Sequence, residues 1–351
     1  MGVDTKELES VARALVARDK GILAADESQP TTAKRLAALG IENAEEQRRR
    51  YRQLLFTTPE LGRFISGVIL FDETIRQDAE DGSPFPALLT RQGIVPGIKV
   101  DKGTKPLAGT SGELITEGLD GLRDRLAEYR ALGARFAKWR AVITIGSGVP
   151  SQYCLETNAH ALARYAVLCQ EGGLVPIVEP EVLMDGDHPI ARCFVVTEVA
   201  LRTLFEALVH QGAVLEGLLL KPNMVLPGKD CAHQVDAQEV AEATLHCLRR
   251  TVPAAVPGIV FLSGGQEERQ ATARLNGMNV LESSPPWALS FSYARALQAT
   301  AMRTWGGRPQ NVPAAQKALA HRARCNSAAR EGRYTSELEQ SARELVGADR
   351  A

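Results

Sequence analysis

The sequence predicts an α/β protein: a single closed (β/α)8 barrel with a leading helix and a short C-terminal tail. Three observations carry that reading. Eight short apolar runs recur along the chain, amphipathic segments lie between them, and the run ends fall near residues 26, 70, 100, 140, 179, 221, 263 and 292. The intervals of 29–44 residues fit one strand, one helix and two loops each.

The runs cover residues 21–26, 64–70, 94–100, 134–140, 174–179, 216–221, 258–263 and 287–292. Apolar stretches of this length bounded by Gly, Pro or charge read as buried strands. A leading helix is expected over 7–20, with Leu8, Val11, Ala12, Leu15 and Val16 on its inner face. Further helices are expected over 118–132, 195–209, 235–250 and 267–275, and one over 336–346 in the polar tail. The rival open, doubly wound sheet requires a glycine-rich phosphate turn after its first strand, and Asp26-Glu27-Ser28 is not one. The expected organisation is one barrel domain over 1–334 and a tail over 335–351.

The 351 residues are 44% apolar and 24% charged, which argues for a folded core rather than disorder. A net charge of −1 argues against nucleic acid or an anionic membrane as partner. Six cysteines without CxxC spacing give neither a disulfide framework nor a structural zinc site. No secretory leader or run of about 18 apolar residues is present, so a cytoplasmic protein is expected. Lysine is scarce, ten against 31 arginines, which makes the placement of each lysine informative.

In such a barrel the site lies at the carboxyl ends of the strands. Asp26, Lys99, Lys138, Arg140, Glu179, Glu181, Lys221, Ser263 and Arg295 fall there. Interleaved lysines and carboxylates suit acid–base chemistry on a dianionic substrate; a structural ring of ion pairs is the bland alternative. Lys221 ends the apolar LLLK run, with Pro222 stopping the strand. Apolar burial and a neighbouring cation such as Lys138 favour a neutral amine, as Schiff-base chemistry requires, whereas a snorkelling lysine would serve no such end. Two glycines in LSGGQ (262–266) expose backbone N–H groups for an anion, and Arg295 lies in the following loop. LSGGQ also matches an ATPase signature, but the upstream GxxxxGK[ST] is missing. The six histidines avoid strand ends and show no HExxH spacing, so no metal site is expected. Trp139 alternates to the face opposite Lys138 and should pack on a helix.

The motifs GILAADES (21–28), GIKVDKG (97–103), FAKWR (136–140), VEPE (178–181), LKPNMV (220–225), LSGGQ (262–266) and PWALSFSY (286–293) together resemble class I fructose-1,6-bisphosphate aldolases, from about residue 7 to 334. The resemblance implies a TIM barrel and a lyase with no cofactor and no metal. It implies reversible retro-aldol cleavage of fructose 1,6-bisphosphate to dihydroxyacetone phosphate and glyceraldehyde 3-phosphate, in glycolysis and gluconeogenesis. By similarity Lys221 forms the Schiff base, Glu179 is the acid–base group, and Asp26 and Lys138 support proton transfer. Ser263, Gly264, Gly265, Ser292 and Arg295 are similar to a C1-phosphate site. Ser28, Arg35, Lys99 and Arg140 are similar to groups holding the rest of the substrate, and Glu181 to a partner of the site's cations. A homotetramer is implied as well.

Three departures from the family pattern stand out. Ala294 replaces a glycine, which predicts crowding of the phosphate or a conflict with a positive φ. Gln29-Pro30-Thr31 replaces a small Gly/Ser-rich loop, which bears on the second phosphate. A C-terminal tyrosine found in animal members is missing, the last tyrosine being Tyr334. Slower enamine protonation, or protonation by another group, is the expectation.

Overall fold

A computed structural model describes residues 4–282 and 284–340. Ten strands are formed among them: β1 Gly21–Ala24, β2 Ile65–Leu70, β3 Val95–Lys99, β4 Thr104–Pro106, β5 Leu114–Thr116, β6 Phe136–Ile143, β7 Val175–Val182, β8 Leu219–Leu220, β9 Gly258–Phe261 and β10 Ala288–Tyr293. Eight of them close a parallel barrel in the order β1-β10-β9-β8-β7-β6-β3-β2, while β4 and β5 pair as a separate antiparallel hairpin. The helices are α1 Thr5–Leu15, α2 Gln29–Ala37, α3 Glu45–Phe56, α4 Asp72–Ile75, α5 Phe85–Arg91, α6 Leu122–Ala131, α7 Gln152–Glu171, α8 Ile190–His210, α9 Ala237–Thr251, α10 Glu268–Leu281, α11 Arg295–Trp305 and α12 Val312–Arg330.

Each predicted run supplies one barrel strand. Covered by helices outside and side chains inside, β2 and β7 are buried at every residue, which is why their sequences are apolar apart from Ser66 and the carboxylates Glu179 and Glu181 that line the cleft. α1 starts where Asp4 accepts a hydrogen bond from the Glu7 N–H at 3.1 Å. Its Leu8, Ala12 and Leu15, with Val16, pack on Ile22, Phe136, Val175, Leu219 and Val260, so the helix closes the amino-terminal end of the barrel. Gly97 leaves the space that the Phe136 ring fills, because a β-carbon there would collide with the ring. Trp139 points outward and stacks at 5.5 Å on Tyr165 of α7, the helix contact its alternation predicts.

The structure corrects the strand limits. β6 and β7 run on to Ile143 and Val182 and stay paired throughout, with Arg140 opposite Glu179 and Val142 opposite Glu181. Lys138, Arg140, Glu179 and Glu181 therefore sit within long strands, not at their last residues. β8 is shorter than its run: Lys221 lies past its last residue, although its N–H still donates to the Val178 carbonyl at 2.9 Å. The β4–β5 hairpin has no counterpart among the predicted elements. In the tail, residues 336–340 are helical, and the remainder of the helix expected over 336–346 lies outside the described residues.

Candidate active site

Strand alternation builds the site in layers. On β6, Phe136, Lys138 and Arg140 share the inner face; on β7, Val175, Ile177, Glu179 and Glu181 do the same. The lowest of these residues belong to the apolar closure with α1, and the upper ones open into a cleft at the carboxyl end. The cleft holds about 530 Å³, within the usual range for a small-molecule site.

At its base lie four charged side chains, each at most 6% exposed: Asp26, Lys138, Glu179 and Lys221. The Glu179 carboxylate separates the two amines, with Oε1 3.2 Å from Lys221 Nζ and Oε2 3.1 Å from Lys138 Nζ. The Lys138 approach is not an aligned hydrogen bond, and Oε2 has no donor among the described residues. Lys138 Nζ reaches Asp26 Oδ2 at 2.7 Å. Burial alone would raise the Asp26 carboxyl, but Lys138, Lys221 and Lys99 outweigh it and hold it down to about 2. Glu179 is lowered in the same way, burial being overcome by Lys138, Lys221 and Arg140. Burial opposes the charge on Lys138, yet Asp26, Glu179 and Asp101 raise it above the usual lysine range. The surroundings of Lys221 thus differ from the apolar pocket with a neighbouring cation that its sequence suggests: a carboxylate stands between the two lysines.

One wall is the turn after β9. Gln266 N–H closes on the Ser263 carbonyl at 2.9 Å, and Gly264 and Gly265 adopt φ of +54° and +99°, accessible to glycine at little cost. Ser292 lines the same wall with a hydroxyl that lacks a partner among the described residues, and Arg295 lies beside Gly265. Ala294 has φ −98° and ψ −86°, so this position demands no positive φ and an alanine is accommodated without that conflict. The opposite rim carries Arg35, paired with Glu27, and Arg140, paired with Glu181.

Twelve of the fourteen residues expected from the sequence line this cleft; Ser28 and Lys99 do not. Ser28 takes the N-cap position of α2 without a side-chain capping bond and meets Thr31 Oγ1 at 3.1 Å, with Pro30 in the first turn of a helix where the family pattern has a small loop. Lys99 pairs with Asp101 at 3.3 Å, close enough to Asp26 to lower it. Thr31 of the departing Gln29-Pro30-Thr31 segment lines the cleft, and so do Glu27, Lys34 and Asp185, which the sequence does not single out. Glu27 was the legible one, a second carboxylate at the first strand end, and it anchors Arg52 at 2.7 Å as well as Arg35. Tyr334 is not among the lining residues: its hydroxyl donates to Glu339 at 2.8 Å.

A barrel whose mouth holds a buried lysine against a carboxylate, facing an anion-accepting turn, defines an enzyme of carbonyl chemistry on a phosphorylated substrate. Comparison with known proteins agrees. Residues 7–347 match the family described as glycolytic fructose-bisphosphate aldolase class I. A probable class 1 fructose-bisphosphate aldolase of Xanthomonas axonopodis pv. citri is 59% identical over 330 residues, 94% of this chain and 98% of that one. Cytosolic fructose-bisphosphate aldolase 6 of Arabidopsis thaliana is 57% identical over 90% of this chain and 88% of its own length. The Plasmodium falciparum aldolase, solved in a ternary complex with TRAP and a small-molecule inhibitor, superposes with a TM-score of 0.93. It is 50% identical, over 94% of this chain and 96% of that one. The chain belongs to the class I fructose-bisphosphate aldolase family. It is a lyase of glycolysis that cleaves fructose 1,6-bisphosphate through a lysine Schiff base, the mechanism characteristic of the class.

Proposed function

We propose that Lys221 forms the imine, that Glu179 moves the protons around it, and that Asp26 and Lys138 support that transfer and balance its charge. The observation that carries this reading is the Glu179 carboxylate lying between two buried amines, 3.2 Å from one and 3.1 Å from the other. Glu179 takes a proton from the Lys221 ammonium, and the freed amine attacks the C2 ketone. The same carboxyl returns its proton to the carbinolamine oxygen, which leaves as water and gives the iminium. The C4 hydroxyl then loses its proton to a carboxylate, the C3–C4 bond breaks, and its electron pair enters the iminium as an enamine. Glyceraldehyde 3-phosphate departs. Protonation at C3 and hydrolysis release dihydroxyacetone phosphate and restore Lys221. Asp26, held ionised, keeps the Lys138 ammonium in place throughout.

In this reading the C1-phosphate lies against Ser263, Gly264, Gly265, Ser292 and Arg295, where turn N–H groups and an unpartnered hydroxyl are available. Arg35 and Arg140 serve the second phosphate, with Ser28 and Lys99 outside the cleft wall supporting the helix and the charge balance. Borohydride added with substrate should fix one label on the peptide containing Lys221. Label on another lysine, or none with activity intact, overturns the assignment. Cleavage of fructose 1-phosphate alongside the bisphosphate measures what the second phosphate contributes.

The barrel and α12 form one functional domain over 1–334 in this reading, with 335–351 as a tail. We also place the enzyme in the cytoplasm, on the support of two Arabidopsis relatives named cytosolic and of six free cysteines. No helix among the described residues is long and apolar enough to cross a membrane. A homotetramer is the assembly we favour: the exposed Tyr153 of α7 and Val195 and Val199 of α8 are apolar surface that subunit contacts would cover. Sedimentation equilibrium tests it, a monomer mass overturning it.

A further inference from the structure

Behind the glycine turn lies a buried charge that the reaction scheme leaves unused. Arg274 of α10 is buried, and its Nη1 donates to Gln266 Oε1 at 2.8 Å. Gln266 is buried too, and its backbone N–H is the one that closes the turn on Ser263. The other end of its side chain faces only Met224 Sδ, at 3.7 Å, a weak acceptor. Arg274 is therefore the strong partner that orients Gln266. Among the described residues no carboxylate pairs with Arg274. Tyr293, the residue after Ser292, gives its hydroxyl to the Ala271 carbonyl at 3.0 Å, on the same helix as Arg274.

A guanidinium stays charged at any working pH, and burying one without a counter-ion is unfavourable. Of the other buried arginines among the described residues, Arg52 pairs with Glu27, Arg322 with Glu339, and Arg330 with Glu331 at 3.4 Å while also donating to the Val16 and Ala17 carbonyls. Arg274 has no such carboxylate among the described residues, and its helix reaches both walls of the anion end, the turn through Arg274 and Gln266 and the end of β10 through Ala271 and Tyr293. An anion bound at the turn supplies the missing negative charge.

We propose that Arg274 is a positioning residue for the phosphate end of the cleft: through Gln266 it holds the glycine turn in its N–H-presenting form, and its uncompensated charge favours the phosphate dianion. This rests on the reading of that turn as the C1-phosphate site. The test uses the full-length enzyme and three readouts: KM and kcat for fructose 1,6-bisphosphate, and the inhibition constant of inorganic phosphate. Arg274→Met should raise KM and the phosphate inhibition constant about tenfold, with kcat within about twofold. Arg274→Lys, which keeps the charge, should recover most of the phosphate binding. A loss of kcat with phosphate binding unchanged would show a merely structural role and overturn the proposal. If Arg274→Met does not fold, Gln266→Met decides, since it cuts the link and keeps the charge. Weaker phosphate inhibition supports the proposal, and unchanged inhibition overturns it. Arg295→Ala separates the two layers of the argument. If it leaves phosphate inhibition intact, the turn is not the phosphate site. If it weakens inhibition while Arg274→Met does not, only the role of Arg274 falls.

Discussion

The two ends of this barrel are built from the same strands and hold opposite kinds of matter. On β6 the inner face passes from Phe136 to Lys138 to Arg140, and on β7 from Val175 and Ile177 to Glu179 and Glu181. Below the change, shape decides what fits: α1, Phe136 and the gap left by Gly97 interlock without a charge. Above it, charge decides: four buried ionised groups hold one another in place. The change takes two residues of strand, about 7 Å. The lower layer makes the barrel rigid, and the upper layer can stay ionised because its partners are fixed on that rigid frame. Substitutions at the two ends should therefore separate stability from activity.

The sharpest break comes at the top. Lys221→Arg keeps the cation but cannot form an imine, so kcat should fall at least about 10⁴-fold while thermal stability changes little. Steady-state assays with a parallel melting curve check both. At the bottom, Phe136→Ala should lower stability by about 3–5 kcal/mol and leave kcat near normal at temperatures where the protein stays folded. A denaturant titration and an assay at low temperature read the two, and a large drop in kcat would dissolve the contrast between the ends. Glu179→Gln removes the proton carrier and keeps the shape; we expect kcat to fall by about 10²–10³. Residual rates should respond to pH less steeply than in the native enzyme.

The smallest effect concerns the charge of the upper layer. Asp26 titrates near 2 in the folded state against an ordinary value of about 3.9, so its ionised form stabilises the fold above pH about 4. That contribution, of the order of 2 kcal/mol, is lost as pH falls from about 4 to 2. Urea midpoints over that range should drop more for the native chain than for Asp26→Asn. Equal slopes would mean that the Lys138 pairing adds nothing to stability.

Much of this was legible in the sequence, for a reason the two ends make plain. Barrel strands are covered on both faces, so their residues stand out as apolar runs. A charge ending such a run, as at Lys221, then marks the mouth. Partner choice was not legible. That Glu179 lies between Lys138 and Lys221, or that Glu27 takes both Arg35 and Arg52, depends on which strands and helices become neighbours. The run ending at residue 179 gave no sign that β6 and β7 continue to pair past it, because Pro180 reads as a stop. The β4–β5 hairpin escaped because Thr104, Lys105 and Pro106 are exposed and carry no apolar pattern. Ala294 shows the limit of reading a replaced glycine as a defect: its negative φ removes the conformational half of the objection.

The two lysines and two carboxylates at the base of the cleft form a set of zero net charge. In the mechanism proposed above Lys221 becomes an iminium, and the new cation carries the same single positive charge as the ammonium it replaces. The field around the set is then unchanged by imine formation, up to the step in which the bond breaks. Nothing in the walls must reorient to receive the intermediate, and the electron pair from C3–C4 flows towards a positive centre that was present before substrate arrived.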